Sequence, residues 1–244
     1  MKLTLLGSFL LLPAATFAAD TIYQSPIPAG GNPAAVAAPR DDWYAAVQNK
    51  FTRFGNKHAD IVFDGDSITN RWETTGKSVW TQHYSAIAAD FGIEGDRTEN
   101  ILWRLSKRQV DGIDPKVVVL MIGTNNSGRD TADQIAEGIK AVVAEYEKRC
   151  PNAHIILMGI FPRGAKPSDG GRQKVAAVNT QIASLDDGNR VSFVDITSKM
   201  LESDGTLTPD MAPDFLHPTT KGYQIWSDAI QPIIDKYVPA KTAP

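Results

Sequence analysis

The chain has 244 residues, 42% hydrophobic and 22% charged, with a formal net charge of -3. That length suits one domain with short extensions and is enough to bury a sizeable core. No run of five or more like charges occurs, so there is no clustered basic face for a phosphate backbone and no nucleic-acid partner is expected.

The chain opens on Met1-Lys2, an apolar stretch from Leu3 to Leu12 and small residues through Ala18 and Ala19. This is the pattern of a secretory signal peptide over residues 1–18, cleaved after Ala18. The apolar stretch is shorter than the roughly 20 residues a bilayer span needs, and no cysteine follows the cleavage point. A secreted or periplasmic protein without a stable membrane anchor is the expectation. Residues 19–40 are rich in Pro, Ala and Gly and read as a flexible leader. Residues 41–238 read as the folded domain.

Within that domain Asp41-Asp42 could cap a helix through Trp43, Val47 and Phe51. Ile61-Val62-Phe63 is a short apolar strand that ends in Asp64-Gly65-Asp66-Ser67. A helix is expected over 79–87, a strand over 88–93 and a helix over 98–108, with Ile101, Leu102 and Leu105 on one face. The continuous apolar run 117–122 reads as a strand buried on both sides. Thr131 opens a helix to Lys148, 154–160 is a second buried strand, and 173–185 is helical. A strand over 191–194 and a helix over 219–237 complete the pattern. Five strands separated by helices predict an α/β, doubly wound parallel sheet with right-handed crossovers. Active sites of such sheets lie at the C-terminal strand ends.

Three expected strand ends carry unusual residues: Gly65-Asp66-Ser67-Ile68-Thr69, Gly92-Ile93-Glu94-Gly95-Asp96 and Gly123-Thr124-Asn125-Asn126. Asp214-Phe215-Leu216-His217 precedes the last helix. A serine hydroxyl becomes a useful nucleophile when a base takes its proton, and histidine suits that role near neutral pH. An acid three residues before the histidine can fix its tautomer and stabilise its cation. The candidate catalytic residues are therefore Ser67, His217 and Asp214, with Asp195 as a rival acid. The Ser67 and Gly95 amides and the Asn125 side chain are candidate oxyanion donors. Asn126 reads as a residue that holds its loop, and Asp66 as support for the serine turn. His58, His83 and His154 read as structural. The single cysteine, Cys150, excludes an intramolecular disulfide and any cysteine-based metal cluster, and reads as structural.

With these stretches the chain resembles the SGNH hydrolases, also called the GDSL esterase/lipase superfamily. Within it the resemblance is to the catalytic subunits of intracellular platelet-activating-factor acetylhydrolases and their bacterial relatives. Leu102-Trp103-Arg104-Leu105 and 119–126 add to it, and it covers roughly residues 42–236. The resemblance implies a flavodoxin-like three-layer α/β/α sandwich with a five-stranded parallel sheet, and ester hydrolysis without metal or organic cofactor. It carries the nucleophile onto Ser67, the oxyanion glycine onto Gly95, the asparagine onto Asn125, and the acid and base onto Asp214 and His217. The chain departs from the family at Glu94, where those relatives have glycine. Arg97, in place of a small residue, could pair with it. Trp72 is a candidate pocket wall, and Arg163-Gly164 a candidate site rim.

The expected activity is removal of small acyl groups, acetyl above all, from a small-molecule or glycan ester. A broad short-chain esterase or lysophospholipase is the nearest alternative. A non-catalytic glycan-binding protein on the same scaffold is a rival, though it would be free to lose Ser67, Asn125, Asp214 and His217. A glycoside hydrolase would use paired carboxylates instead. A zinc deacetylase is disfavoured, because neither His-Glu-x-x-His nor a histidine cluster is present.

Overall fold

The computed structural model describes residues 30–55 and 57–239; the signal-peptide reading of 1–18 lies outside these residues. Eight α-helices and five strands follow in order: α1 (Tyr44–Phe54), β1 (Ile61–Gly65), α2 (Ser67–Asn70), α3 (Lys77–His83), β2 (Ala88–Asp90), α4 (Thr98–Ser106), β3 (Val117–Met121), α5 (Ala132–Arg149), β4 (His154–Met158), α6 (Gly170–Ile182), β5 (Val191–Val194), α7 (Thr197–Met200) and α8 (Thr220–Tyr237). The strands form one parallel sheet in the order β2-β1-β3-β4-β5, the flavodoxin-like order. Every residue of β1, β3 and β4 is buried, as a strand covered on both faces requires.

Alternation along these strands divides the core in two. Val62, Val118, Leu120, Ile155 and Leu157 pack with Ile101 of α4, Ile139 of α5 and Val178 of α6. Phe63, Val119, Met121 and Met158 face the other way, toward Trp80 of α3 and Tyr223 and Trp226 of α8. The result is the expected α/β/α sandwich. Trp72 sits in this second layer with no exposed surface, edge-on to Phe63, Tyr84 and Tyr223. It is therefore core, not a pocket wall.

Several boundaries differ from the sequence reading. The turn at Tyr84, whose carbonyl takes the Ile87 and Ala88 amides, ends α3 before the expected helix 79–87 is complete. The helix at Tyr44 starts without a side-chain cap from Asp41 or Asp42. The described part of the leader, residues 30–40, is held in place. Ala34 is buried, the Thr98 hydroxyl donates to its carbonyl at 2.6 Å, and Asn100 Nδ2 donates to the Ala38 carbonyl at 2.9 Å. Pro and Ala content signalled an irregular backbone, but these open carbonyls find donors on α4.

Candidate active site

The turn after β1 places Ser67 at the first position of α2. Asp66 caps that helix through its Oδ1, which accepts the Ile68 amide at 2.9 Å. Gly65 must be glycine here. A Cβ would stand 2.3 Å from the Met121 carbonyl oxygen and still closer to the Thr69 hydroxyl. Burial lifts the Asp66 carboxyl to about 7, opposed by the Ile68 amide and reinforced by the neighbouring charges of Asp96 and Glu94. Asp66 thus supports the turn and faces no reacting atom.

His217 lies on the loop before α8. Its Nε2 is 2.9 Å from Ser67 Oγ, and its Nδ1 is 2.6 Å from Asp214 Oδ2. The other Asp214 oxygen accepts the Leu216 and His217 amides at 3.1 and 2.8 Å, so acid and base are locked into one turn. Partial burial pulls the Asp214 carboxyl upward. The His217 side-chain and backbone hydrogen bonds outweigh it and hold the group at about 2, fully ionised near neutrality. The rival acid, Asp195, accepts the Thr197 amide at 2.8 Å, and it is Asp214 whose carboxylate meets the His217 ring. Tyr223 of α8 donates its phenol to the Ile68 carbonyl at 2.6 Å, tying the helix after His217 to the helix that begins at Ser67.

The other two loops meet at the same rim. The Ile93 amide donates to the Gly65 carbonyl at 3.2 Å. Gly95 has φ 76°, a left-handed conformation suited to glycine. Asn125 Nδ2 donates one proton to the Asp96 carbonyl at 2.9 Å, which leaves its second N–H for another acceptor. Asn126 turns inward, bonded to Thr98, Glu99 and Asp130, and holds the loop as expected.

Two guanidinium groups brace the Asn125 turn from opposite sides. Arg97 Nε donates to the Asn125 carbonyl at 3.2 Å, and Arg163 Nη1 to the Thr124 carbonyl at 2.6 Å. Arg97 therefore does not pair with Glu94. The Glu94 carboxylate is held instead by Arg71 at 3.2 Å, while the Arg97 guanidinium is engaged by the Asn125 carbonyl. Arg40 donates to the Glu94 carbonyl at 3.1 Å, and its guanidinium crosses Gly95 so closely that a Cβ there would meet it at 2.7 Å. Neither Arg40 nor the brace by Arg97 was visible in the sequence, where each is a single arginine in an irregular stretch.

Beneath the rim, Arg104 of α4 donates to Asp64 at 2.7 Å and to Asp96 at 2.9 Å, all three side chains buried. Trp43 Nε1 donates to Asp96 at 2.6 Å, and the Tyr146 phenol to Asp64. Beside the Asp214–His217 turn opens a cleft of about 530 Å³, walled by Arg163, Gly164, Asp169, Asp214 and Phe215 among others. Arg163-Gly164 thus frames a rim of the site. Among the described residues no group of three or more His, Cys, Asp or Glu is placed to hold a metal ion.

The sequence pattern of the GDSL-like lipase/acylhydrolase family matches residues 63–225, which span all four site stretches. The chain belongs to that family. It is a serine-type carboxylic ester hydrolase of the GDSL group. It is 38% identical over 186 residues to platelet-activating factor acetylhydrolase IB subunit alpha2 of Rattus norvegicus, covering 75% of this chain and 80% of that one. It is 34% identical over 200 residues to the alpha1 subunit of Homo sapiens, covering 79% and 85%. Its fold is shared by a GDSL-like lipase from Bacteroides thetaiotaomicron, with TM-score 0.64, 23% identity, and 79% and 97% of the two chains. It is shared too by a catalytic mutant of an acetylxylan esterase from Geobacillus stearothermophilus, with TM-score 0.59, 20% identity, and 76% and 100% of the chains.

Proposed function

We propose that this GDSL hydrolase is an exported carbohydrate O-acetylesterase, with Ser67 as nucleophile, His217 as general base and Asp214 as its orienting acid. The observation that carries the mechanism is the hydrogen-bonded chain from Ser67 Oγ through His217 to Asp214. His217 Nε2 takes the hydroxyl proton as Oγ attacks the acyl carbonyl. The Ser67 and Gly95 amides and the remaining Asn125 N–H receive the oxyanion. His217 then protonates the departing alkoxide, leaving an acyl-enzyme. Water, deprotonated by the same imidazole, attacks that ester and releases the carboxylic acid and free serine.

Charge around the oxyanion loop supports a short acyl group. Arg40 crosses Gly95 and Arg71 pairs with the neighbouring Glu94, an arrangement that offers little apolar surface to a long chain. Acetyl is also the acyl group named for the relatives. A sugar as the alcohol fits the open cleft with its charged rim, and the signal-peptide pattern of 1–18 supports action outside the cytoplasm. Among the described residues no helix is long and apolar enough to cross a membrane.

The test is hydrolysis of p-nitrophenyl acetate, butyrate and octanoate by wild type and Ser67→Ala. Acetate is expected to be cleaved fastest, and Ser67→Ala to lose at least about a thousandfold in kcat. Retained activity in Ser67→Ala rejects the mechanism. A preference for octanoate rejects the acetyl reading.

A further inference from the structure

The loop that carries the acid and the base contains a residue whose conformation works against its side chain. Phe215, between Asp214 and His217, holds φ 55°. Glycine would take this conformation without steric cost, whereas a residue with a bulky side chain adopts it only where its surroundings hold it. Here the Phe215 amide donates to the Ala212 carbonyl and its own carbonyl accepts the Gly164 amide, both at 2.9 Å. The turn is fixed from both sides. Phe215 is partly buried against the apolar layer that includes Tyr223 and Trp226 of α8, and the residue also walls the cleft beside Asp214.

The rest of that cleft is of mixed character. Arg163 and Asp169 bring charge of both signs, and Gly164 keeps the wall low. At about 530 Å³ it lies within the range of small-molecule pockets. It adjoins the turn that carries His217, the residue that returns a proton to the leaving alcohol. An aromatic ring among polar hydrogen-bonding groups fits a ligand with an apolar face and a polar edge, as a pyranose presents.

We propose that Phe215 is a specificity-determining residue, a platform on which the sugar portion of the substrate packs while Arg163 and Asp169 hydrogen-bond its hydroxyls. This rests on the carbohydrate reading above.

The experiment compares kcat/KM for an acetylated xylo-oligosaccharide with that for ethyl acetate, whose leaving group cannot reach the cleft. Wild type, Phe215→Tyr, Phe215→Leu and Phe215→Gly are measured. The ratio of the two values is expected to fall about fivefold or more in Phe215→Leu and Phe215→Gly, and to stay within about twofold of wild type in Phe215→Tyr. Phe215→Gly accepts the local φ freely, so its loss cannot be put down to a damaged turn. An unchanged ratio in both Leu and Gly variants overturns the platform and leaves the carbohydrate reading standing. A wild type that cleaves ethyl acetate but not the oligosaccharide overturns both.

Discussion

At the scale of single residues the site depends on one carboxylate that stays charged. Asp214 is held at about 2, against about 3.9 for a free side chain. A depressed pKa gives the folded state an advantage that is present above the free value and lost as pH falls through about 2. Between pH 4 and neutrality Asp214 therefore takes up no proton. The Asp214 carboxyl carbon should keep a constant NMR shift between pH 4 and 7, and a titration step in that window would contradict this assignment. Asp214→Asn should lower kcat about a thousandfold or more, because the amide no longer fixes the productive tautomer. Ser67, His217 and Asp214, which the structure brings into one hydrogen-bonded chain, were legible in the sequence, since each lies in a short motif at a strand end or before a helix. Arg97 was misassigned to Glu94. Charge complementarity suggested that pair, and sequence spacing does not show that the Asn125 carbonyl lies within reach of Arg97 and Arg71 within reach of Glu94.

At the scale of elements, the stretch from Asn32 to Asp42 is a strap that ends on the loop of Glu94 and Gly95. Arg40 is its last anchor, bonded to the Glu94 carbonyl and 3.7 Å from Asp96. Arg40→Ala frees the loop whose Gly95 amide is the proposed oxyanion donor. The expected result is about a tenfold fall in kcat with KM within about twofold, and partial recovery in Arg40→Lys. Equal losses in kcat and in thermal stability would make Arg40 a merely structural anchor. Hydrophobic periodicity located the long elements, α5 and α8, and the buried strands to within a few residues. It did not reveal the strap, which has no periodicity and is ordered by side chains of α4 far along the chain.

For the whole molecule, the buried cluster of Asp64, Arg104 and Asp96 joins the sheet, the α4 layer and the site rim. Arg104→Met would leave two carboxylates without their shared cation in a dry interior. Stability to urea should fall by about 3–5 kcal/mol, and a loss below about 1 kcal/mol would show that water or rearrangement replaces the arginine. The doubly wound parallel sheet followed from five apolar runs and the crossover rule, and the three-layer sandwich from the family resemblance. The cluster did not, because nothing in the spacing of Asp64, Asp96 and Arg104 shows that they meet.

The placement of Asp214 and His217 in a single four-residue turn has a consequence for how the machinery can fail or be controlled. The enzyme is a two-piece lock. One piece is the serine turn, the other a cartridge in which acid and base are already paired, and the Tyr223 phenol is the latch between them. Withdrawing the cartridge by an ångström or two would silence the hydroxyl while leaving the charged pair intact, so an idle form of this enzyme would have lost one contact, not its active-site chemistry.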